Sequence, residues 1–324
     1  QVVEVVAGLP EHGWLVGLVK DLVLGQGDAE REKKDRAERQ KAAKEQCKKL
    51  IGCFIEALVS FDEISTENLS NEEQRKNSRK LISIITTLFI FCKACPVFLL
   101  PHVEALFPYL MEVDRKNPKN QAITREEEGR ISFLVADIIT EVLPMMTNPD
   151  FSMLEDVASN LKRIVYSFPP LVVKAAAKCL AIMCSKVTQN TKPIFQLLSQ
   201  FYGYLLRFSG EVSLKSVSKN VVFSCQRALI VLGTLTQYYD FPEWDGSVQD
   251  ALAPFKLPTA LDLQSIRRAV YELLTLYLRK KDLATQVIAL EALGSTFIGS
   301  SRLLLLAQTQ GHIEKALGHP HPAA

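Results

Sequence analysis

The sequence lacks long apolar runs and carries few glycines and histidines. No uninterrupted apolar stretch reaches the length of about 18 residues that a membrane-spanning helix requires, because charged residues, prolines and a histidine interrupt the most apolar segment, residues 81–110. The 15 glycines form no glycine-rich phosphate loop, and no GxSxG, HExxH, Walker or Rossmann pattern occurs. We therefore expect no contact with a membrane, no enzymatic activity and no cofactor.

The seven cysteines indicate a reduced protein without a disulfide framework. Their number is odd, and most lie in apolar stretches, as buried intracellular thiols do. Cys92 and Cys95 have the CxxC spacing of half a zinc site, but no second CxxC or CxxH completes four ligands. We interpret both as buried structural thiols and expect no bound metal. A metal site formed by His312, His319 and His321 in the tail is the weaker alternative.

Apolar residues recur with the 3.6-residue period of an α-helix. Those that follow Ile131 fall on one helical stripe, namely Leu134, Val135, Ile138, Ile139 and Val142. No stretch shows the two-residue alternation of a strand, and proline-containing breaks recur at roughly the length of one helix or one helix pair, as at Pro169 and Pro170. The sequence therefore predicts an all-α fold, a HEAT-type α-solenoid of antiparallel helix pairs. The best single repeat helix is residues 282–294, and residues 170–187 are a second.

The repeat pattern predicts one continuous HEAT segment over residues 1–324. The chain begins Gln-Val-Val-Glu, without an initiator methionine or signal peptide, so we expect a segment of a longer protein. Residues 28–49 hold six acids and nine bases, which indicates a long solvated helix or insertion; a basic contact patch is the alternative. Residues 240–258 are predicted to be a loop between repeats.

An acidic run at residues 126–128 follows Thr124. Carboxylates in the first turn of a helix interact favourably with its dipole, and a threonine three residues before a glutamate forms a capping box. We therefore predict a helix N-terminus at this point, not a pair of catalytic carboxylates.

Basic residues are concentrated in the middle of the chain. Residues 157–239 contain ten bases and one acid, Glu211, giving a net charge of +9, whereas residues 1–156 carry −6 and residues 240–324 carry −1. Such a field attracts polyanions, and double-stranded DNA is the expected ligand. Alternatively, the bases are scattered around the solenoid and only keep it soluble. We expect Lys174, Lys178 and Lys186 to share one helix end or face. The candidate DNA-binding residues are Lys162, Arg163, Lys174, Lys178, Lys186, Lys192, Lys215 and Lys219.

Several blocks resemble one family. Lys186-Val-Thr-Gln-Asn190, followed by Phe201-Tyr-Gly-Tyr204, is similar to the large subunit of the cohesin loader, the Nipped-B-like family. Residues 81–93 and 289–298 are similar to the same family, in the same order. Gly299-Ser-Ser-Arg302 departs from the family's pattern, and residues 312–324 form a poorly matched tail.

The resemblance implies a nuclear, chromatin-associated segment of a hook-shaped HEAT solenoid. Members of this family clamp DNA against the SMC heads of cohesin, engage the kleisin and stimulate the ATPase of those heads. They bind a small loader subunit through a region that this sequence does not contain. The alternative is another chromosome-associated HEAT adaptor, such as a cohesin regulator, in which the basic face binds a protein.

Overall fold

The computed structural model describes residues 33–63, 70–110, 124–147, 150–167, 169–214, 217–241 and 266–309. Within these ranges the chain is helical and forms no strand, and the predicted all-α, HEAT-type fold is confirmed. Backbone contacts divide the chain into two compact units, Gln1–Met153 and Leu154–Ala324. The single continuous segment stays a prediction. Residues 28–32, 242–258 and the tail at 312–324, with its three histidines, lie outside the described residues.

The described part of the first unit contains three complete α-helices. Helix α1 (Lys33–Glu63) includes residues 33–49 of the charged segment; it is followed by α2 (Asn71–Ala94) and α3 (Arg125–Val142). Two 3₁₀-helices, Pro96–Phe98 and Leu100–Leu110, lie between α2 and α3. A third, Leu143–Met145, follows α3.

Capping boxes define where α2 and α3 begin. The Ser70 hydroxyl accepts a hydrogen bond from the Glu73 backbone N–H, and the Glu73 carboxylate accepts one from the Ser70 backbone. Thr124 and Glu127 exchange the same pair of bonds before α3. Each box provides partners for backbone donors that a helix N-terminus leaves unpaired. The predicted N-terminus at Thr124 is therefore confirmed.

Helices α2 and α3 bury their apolar stripes against each other. All six residues of the predicted stripe, from Ile131 to Val142, are buried. Lys93 of α2 reaches across to α3, where its Nζ lies 2.6 Å from an Asp137 carboxylate oxygen and 3.1 Å from one of Glu141. These two hydrogen-bonded carboxylates raise the pKa of Lys93 even though burial opposes the shift.

The described part of the second unit contains most of α4 and six further α-helices. The predicted repeat at 170–187 is α5 with the π-helix Met183–Val187 that extends it, and the predicted repeat at 282–294 is α9, which begins after its N-cap residue Asp282. In chain order the helices are α4 (Phe151–Ser167), α5 (Pro170–Ile182), α6 (Lys192–Phe208), α7 (Lys219–Tyr238), α8 (Ile266–Tyr277), α9 (Leu283–Gly299) and α10 (Ser301–Thr309).

Hydrogen bonds at constant sequence separation show that alternate helices run parallel. Between α4 and α6, Lys162 bonds to Gln196 and Tyr166 to Gln200, both at a separation of 34 residues. Between α6 and α8, Tyr277 bonds to the Leu205 carbonyl and Lys280 to the Phe208 carbonyl, both at 72 residues. A separation that stays constant along two helices requires them to be parallel and in register.

The hydrogen bonds between α7 and α9 also have a nearly constant sequence separation. Gln226 bonds to Thr285 at a separation of 59 residues, and Thr236 to Thr296 at 60. Helices next to each other in the chain and joined by a short turn are antiparallel. The unit is therefore built from the helix pairs α4–α5, α6–α7 and α8–α9, stacked in register as in a HEAT solenoid.

The backbones of α7 and α9 approach each other more closely than any side chain allows. A Cβ atom added to Gly233 would lie 2.6 Å from Ala292 Cα, and one added to Gly299 would lie 2.0 Å from the Thr236 carbonyl oxygen. Between these points the hydroxyls of Thr236 and Thr296 are 2.9 Å apart and buried. Small residues at successive turns are thus a steric requirement of this packing.

Two cations from the α8 segment cap the carboxyl ends of its neighbours. The Nζ of Lys280 donates to the carbonyls of Phe208 (2.8 Å), Ser209 (2.7 Å) and Glu211 at the end of α6. Arg267 donates to the Tyr239 carbonyl at 2.8 Å, just past the end of α7. Unpaired carbonyls and a partial negative charge mark a helix C-terminus, so a cation is stabilising there.

We predict opposite effects for two glycine-to-alanine substitutions in this helix pair. Gly233→Ala forces a Cβ into the backbone of α9 and should lower the free energy of unfolding by about 1–3 kcal/mol. Gly294→Ala on α9 is the matched control, because an added Cβ meets no atom within 4 Å. It should raise stability by about 0.5–1 kcal/mol. Urea unfolding measures both, and a stabilising Gly233→Ala would contradict the close packing.

Candidate nucleic-acid interface

Three turns face one edge of the second unit. Because α4, α6 and α8 are parallel, their carboxyl ends point to the same edge, and each is followed by the turn that leads into α5, α7 or α9. The bonds of Lys162 and Tyr166 to α6 place the end of α4 opposite Phe201, so the first turn lies about 10 Å short of the end of α6. The Lys281 backbone N–H donates to the Val212 carbonyl at 3.0 Å, which ties the third turn to the second. The N-termini of α5, α7 and α9 lie at this edge, and each adds a partial positive charge.

Exposed cations line these turns and the helix ends beside them. Glu211 is an exposed acid at this edge, whereas Asp282 is buried and accepts a hydrogen bond from the Thr285 hydroxyl. The edge is therefore strongly positive and faces solvent. We call the exposed cations the basic edge; they are Arg163, Lys174, Arg207, Lys219, Arg279 and Lys281.

Three of the predicted DNA-binding residues belong to the basic edge, namely Arg163, Lys174 and Lys219. Lys162 is half-buried and donates to Gln196 at 2.7 Å. Lys178 is half-buried with its Nζ 5.5 Å from the centre of the Tyr238 ring, and Lys215 lies outside the described residues.

Lys174, Lys178 and Lys186 do not share a helix end, and whether they share a face stays a prediction. Lys174 and Lys178 are one turn apart on the same side of α5, but Lys186 lies in the π-helix beyond the far end of that helix. Twelve residues of helix separate Lys174 from Lys186 by about 18 Å. Lys186 and Lys192 therefore lie at the opposite edge, where α5 leads into α6.

The segment similar to the loader family, residues 186–190, forms a strained and exposed loop at that opposite edge. It begins in the π-helix Met183–Val187, and Gln189 has a φ of 51°, in the left-handed region. Such backbone costs free energy for a residue other than glycine and is concentrated at functional sites. Gln189, Asn190 and Lys192 are exposed.

A groove of about 390 Å³ lies between α4, α6 and α7. Its wall contains the stacked rings of Tyr166 and Phe201, with centroids 5.3 Å apart, and Tyr166 donates its hydroxyl to Gln200. Burial raises the pKa of Tyr166, so the hydroxyl keeps its proton. Lys162 and Arg227 supply positive charge to the lining.

Sequence reasoning missed part of both sites. Arg279 and Lys281 fall outside residues 157–239, and only the parallel packing of α8 on α6 brings them to the basic edge. Arg227 is one of the ten bases of residues 157–239 but is not among the candidate DNA-binding residues. No local sequence pattern marks Tyr166 or Tyr204 as part of the groove, because the groove forms only when α4, α6 and α7 pack together.

Six of the seven thiols are buried. Cys92 and Cys95 are buried, as predicted, and Cys53 is the exposed thiol. Burial raises the pKa of Cys92 and of Cys184 to about 12, and that of Cys225 to about 11. These groups are therefore protonated at neutral pH. Among the described residues no cluster of three His, Cys, Asp or Glu side chains is placed to hold a metal ion.

Comparison with known proteins identifies the relatives of this chain. Nipped-B-like protein from Mus musculus and that from Homo sapiens are each 23% identical to it over 308 residues, 94% of the chain. The chain is a homologue of the Nipped-B-like proteins. Nipped-B protein from Drosophila melanogaster is 27% identical over 197 residues, 60% of the chain. The resemblance carried by the sequence blocks is thus confirmed, while no family model matches.

The chain spans about a tenth of the length of the mouse and human relatives it matches. Within its described part, no helix combines the length and apolar character needed to cross a bilayer.

We predict that one thiol reacts rapidly with an aromatic disulfide reagent in the folded protein. Only Cys53 is exposed, and a buried thiol with a raised pKa supplies little thiolate. The remaining six should react only after unfolding in denaturant. Absorbance of the released thiolate measures the reaction, and Cys53→Ser should abolish the rapid phase. A rapid reaction of two or more thiols, or one that persists in Cys53→Ser, would contradict this.

Proposed function

We propose that this chain is a non-catalytic, DNA-binding segment of a cohesin loader that acts in the nucleus on chromatin. Its basic edge holds double-stranded DNA while the segment engages the cohesin SMC heads and kleisin, and the held DNA promotes loading and stimulates the SMC ATPase. The small loader subunit binds through a region outside this chain. The observation that carries the proposal is six exposed cations on one edge of three stacked helix pairs.

The geometry of the edge suits a nucleic-acid backbone. Neighbouring packed helices are about 8–10 Å apart, so successive turns present cations at intervals along the stack. The N-termini of α5, α7 and α9 add partial positive charges, which favour phosphate oxygens. Homology to the Nipped-B-like proteins supports the loader role independently of the charge.

We predict that Lys174→Glu, Lys219→Glu and Lys281→Glu together weaken binding to double-stranded DNA. One lysine is changed in each helix pair, and all three are exposed, so the fold should persist. Each lost phosphate contact should reduce the slope of log K against log salt by about 0.9, a total of up to about 3. Fluorescence anisotropy of a labelled duplex over a salt series measures both the affinity and the slope.

Two control variants test whether the effect on DNA binding depends on where the charges are reversed. Lys49→Glu, Lys76→Glu and Lys80→Glu make the same charge change at exposed sites in the first unit and should reduce the slope much less. Lys186→Glu with Lys192→Glu changes the opposite edge and should also have the smaller effect. An unchanged slope in the basic-edge variant would overturn DNA binding at this edge.

One observation favours the second candidate, a chromosome-associated HEAT adaptor whose basic face binds a protein. Apolar side chains are exposed among the cations of the same edge, with Leu171 62% exposed, Val212 59% and Val217 45%. Contacts with phosphate groups alone do not require exposed apolar side chains. If the basic-edge variant keeps its DNA affinity, the function as a protein-binding adaptor is favoured over DNA binding.

A further inference from the structure

Phe223 presents an exposed aromatic ring beside the basic edge. It is 64% exposed, more than any other aromatic side chain among the described residues. Phe223 lies on α7 four residues after the exposed Lys219, so the two side chains share a face of the helix. Four residues of helix span about 6 Å. The ring therefore lies one turn behind the cation at the start of α7.

A second cation lies beside the ring on the neighbouring helix pair. Gln226 of α7 donates to Thr285 of α9 at 3.3 Å, and the two helices are parallel. Phe223 and Asp282 each lie one turn nearer the basic edge, so they are level with each other. Lys281 directly precedes Asp282 and is exposed, and packed helices are about 8–10 Å apart. The ring thus has one cation on its own helix and another on the next helix pair.

The surface around the ring combines apolar atoms with positive charge. Leu283, the first residue of α9, is 44% exposed and lies beside the level of the ring. Asp282, the acid next to it, is buried and accepts a hydrogen bond from the Thr285 hydroxyl. The six cations of the basic edge outnumber the exposed Glu211. A polyanion that approaches the ring therefore meets an attractive field.

We propose that Phe223 is a wedge that inserts between two base pairs of the double-stranded DNA held at the basic edge. Lys219 and Lys281 contact phosphates on either side of the separated step. An inserted side chain kinks the duplex, and a bent duplex follows more of the protein surface. The inference rests on the proposed function, which supplies the DNA, and adds a preference for DNA whose base pairs unstack easily.

A DNA wedge accounts for this arrangement better than a protein anchor does. The cores of protein interfaces are depleted of charged residues, whereas two lysines flank this ring. Proteins that bend DNA combine cations with an inserted Phe, Leu, Ile, Met or Pro side chain. An inserted ring needs no pocket of its own, because the separated base pairs supply both of its contact surfaces.

The test compares two fluorescein-labelled duplexes of equal length, one fully paired and one with two adjacent mismatches at its centre. Both present the same number of phosphates, but mismatched pairs unstack at a lower cost in free energy. We expect the 324-residue chain to bind the mismatched duplex at least about tenfold more tightly, as measured by fluorescence anisotropy.

Four variants separate the wedge from the phosphate contacts. Phe223→Ala should abolish the preference for the mismatched duplex and leave the slope of log K against log salt unchanged, because no cation is lost. Phe223→Leu keeps an apolar wedge and should retain most of the preference. Lys281→Gln should reduce the slope by about 0.9 for both duplexes and keep the preference. Ile298→Ala removes an exposed apolar side chain at the other end of α9 and should change neither quantity.

The outcomes distinguish the wedge from the proposed function. Equal affinity of the unsubstituted chain for the two duplexes would overturn the wedge alone, as would a preference that persists in Phe223→Ala. Binding of neither duplex would overturn DNA binding at the basic edge, and the wedge with it. Because the ring is exposed, Phe223→Ala should unfold in urea at the same midpoint as the unsubstituted chain, so a lost preference reports on DNA and not on folding.

Discussion

The contact between the backbones of α7 and α9 determines how the second unit is assembled. With no side chain at Gly233 or Gly299, the two helices meet at Ala292 and Thr236, and their register cannot slide without a clash. That register holds the turn after α8 against the turn after α6. The alignment of these two turns, which carry Arg207, Lys219, Arg279 and Lys281 of the basic edge, follows from this packing.

The cations of this unit have two distinct roles. Lys280 and Arg267 are directed inward, where they satisfy the carbonyls that end α6 and α7, and their charge stabilises the fold instead of attracting a ligand. Lys174, Lys219 and Lys281 are exposed at the turns, where they act on whatever approaches the edge. A count of net charge cannot separate the two groups, because only the packing shows which cations meet a carbonyl.

The fold was predictable from sequence to the extent that it depends on local pattern. The stripe from Ile131 is buried throughout, and the repeat helix at 282–294 is α9, because helical periodicity and proline breaks act within one helix. The site was less predictable. Lys178 folds over Tyr238, Lys186 lies at the opposite edge, and Lys281 joins the basic edge from outside the charged window. Each of these depends on contacts between residues far apart in the chain, which no local pattern encodes.

We propose that the basic edge holds DNA for cohesin loading, and the most direct measurement is of the ATPase that the held DNA is proposed to stimulate. In a human Nipped-B-like protein, the matching segment is replaced by this chain, with or without Lys174→Glu, Lys219→Glu and Lys281→Glu. The DNA-dependent ATP hydrolysis of purified cohesin is then measured. The unsubstituted chain should support stimulation, and the charge reversals should abolish most of it. Equal stimulation by both proteins, at limiting DNA, would show that the basic edge does not hold the DNA.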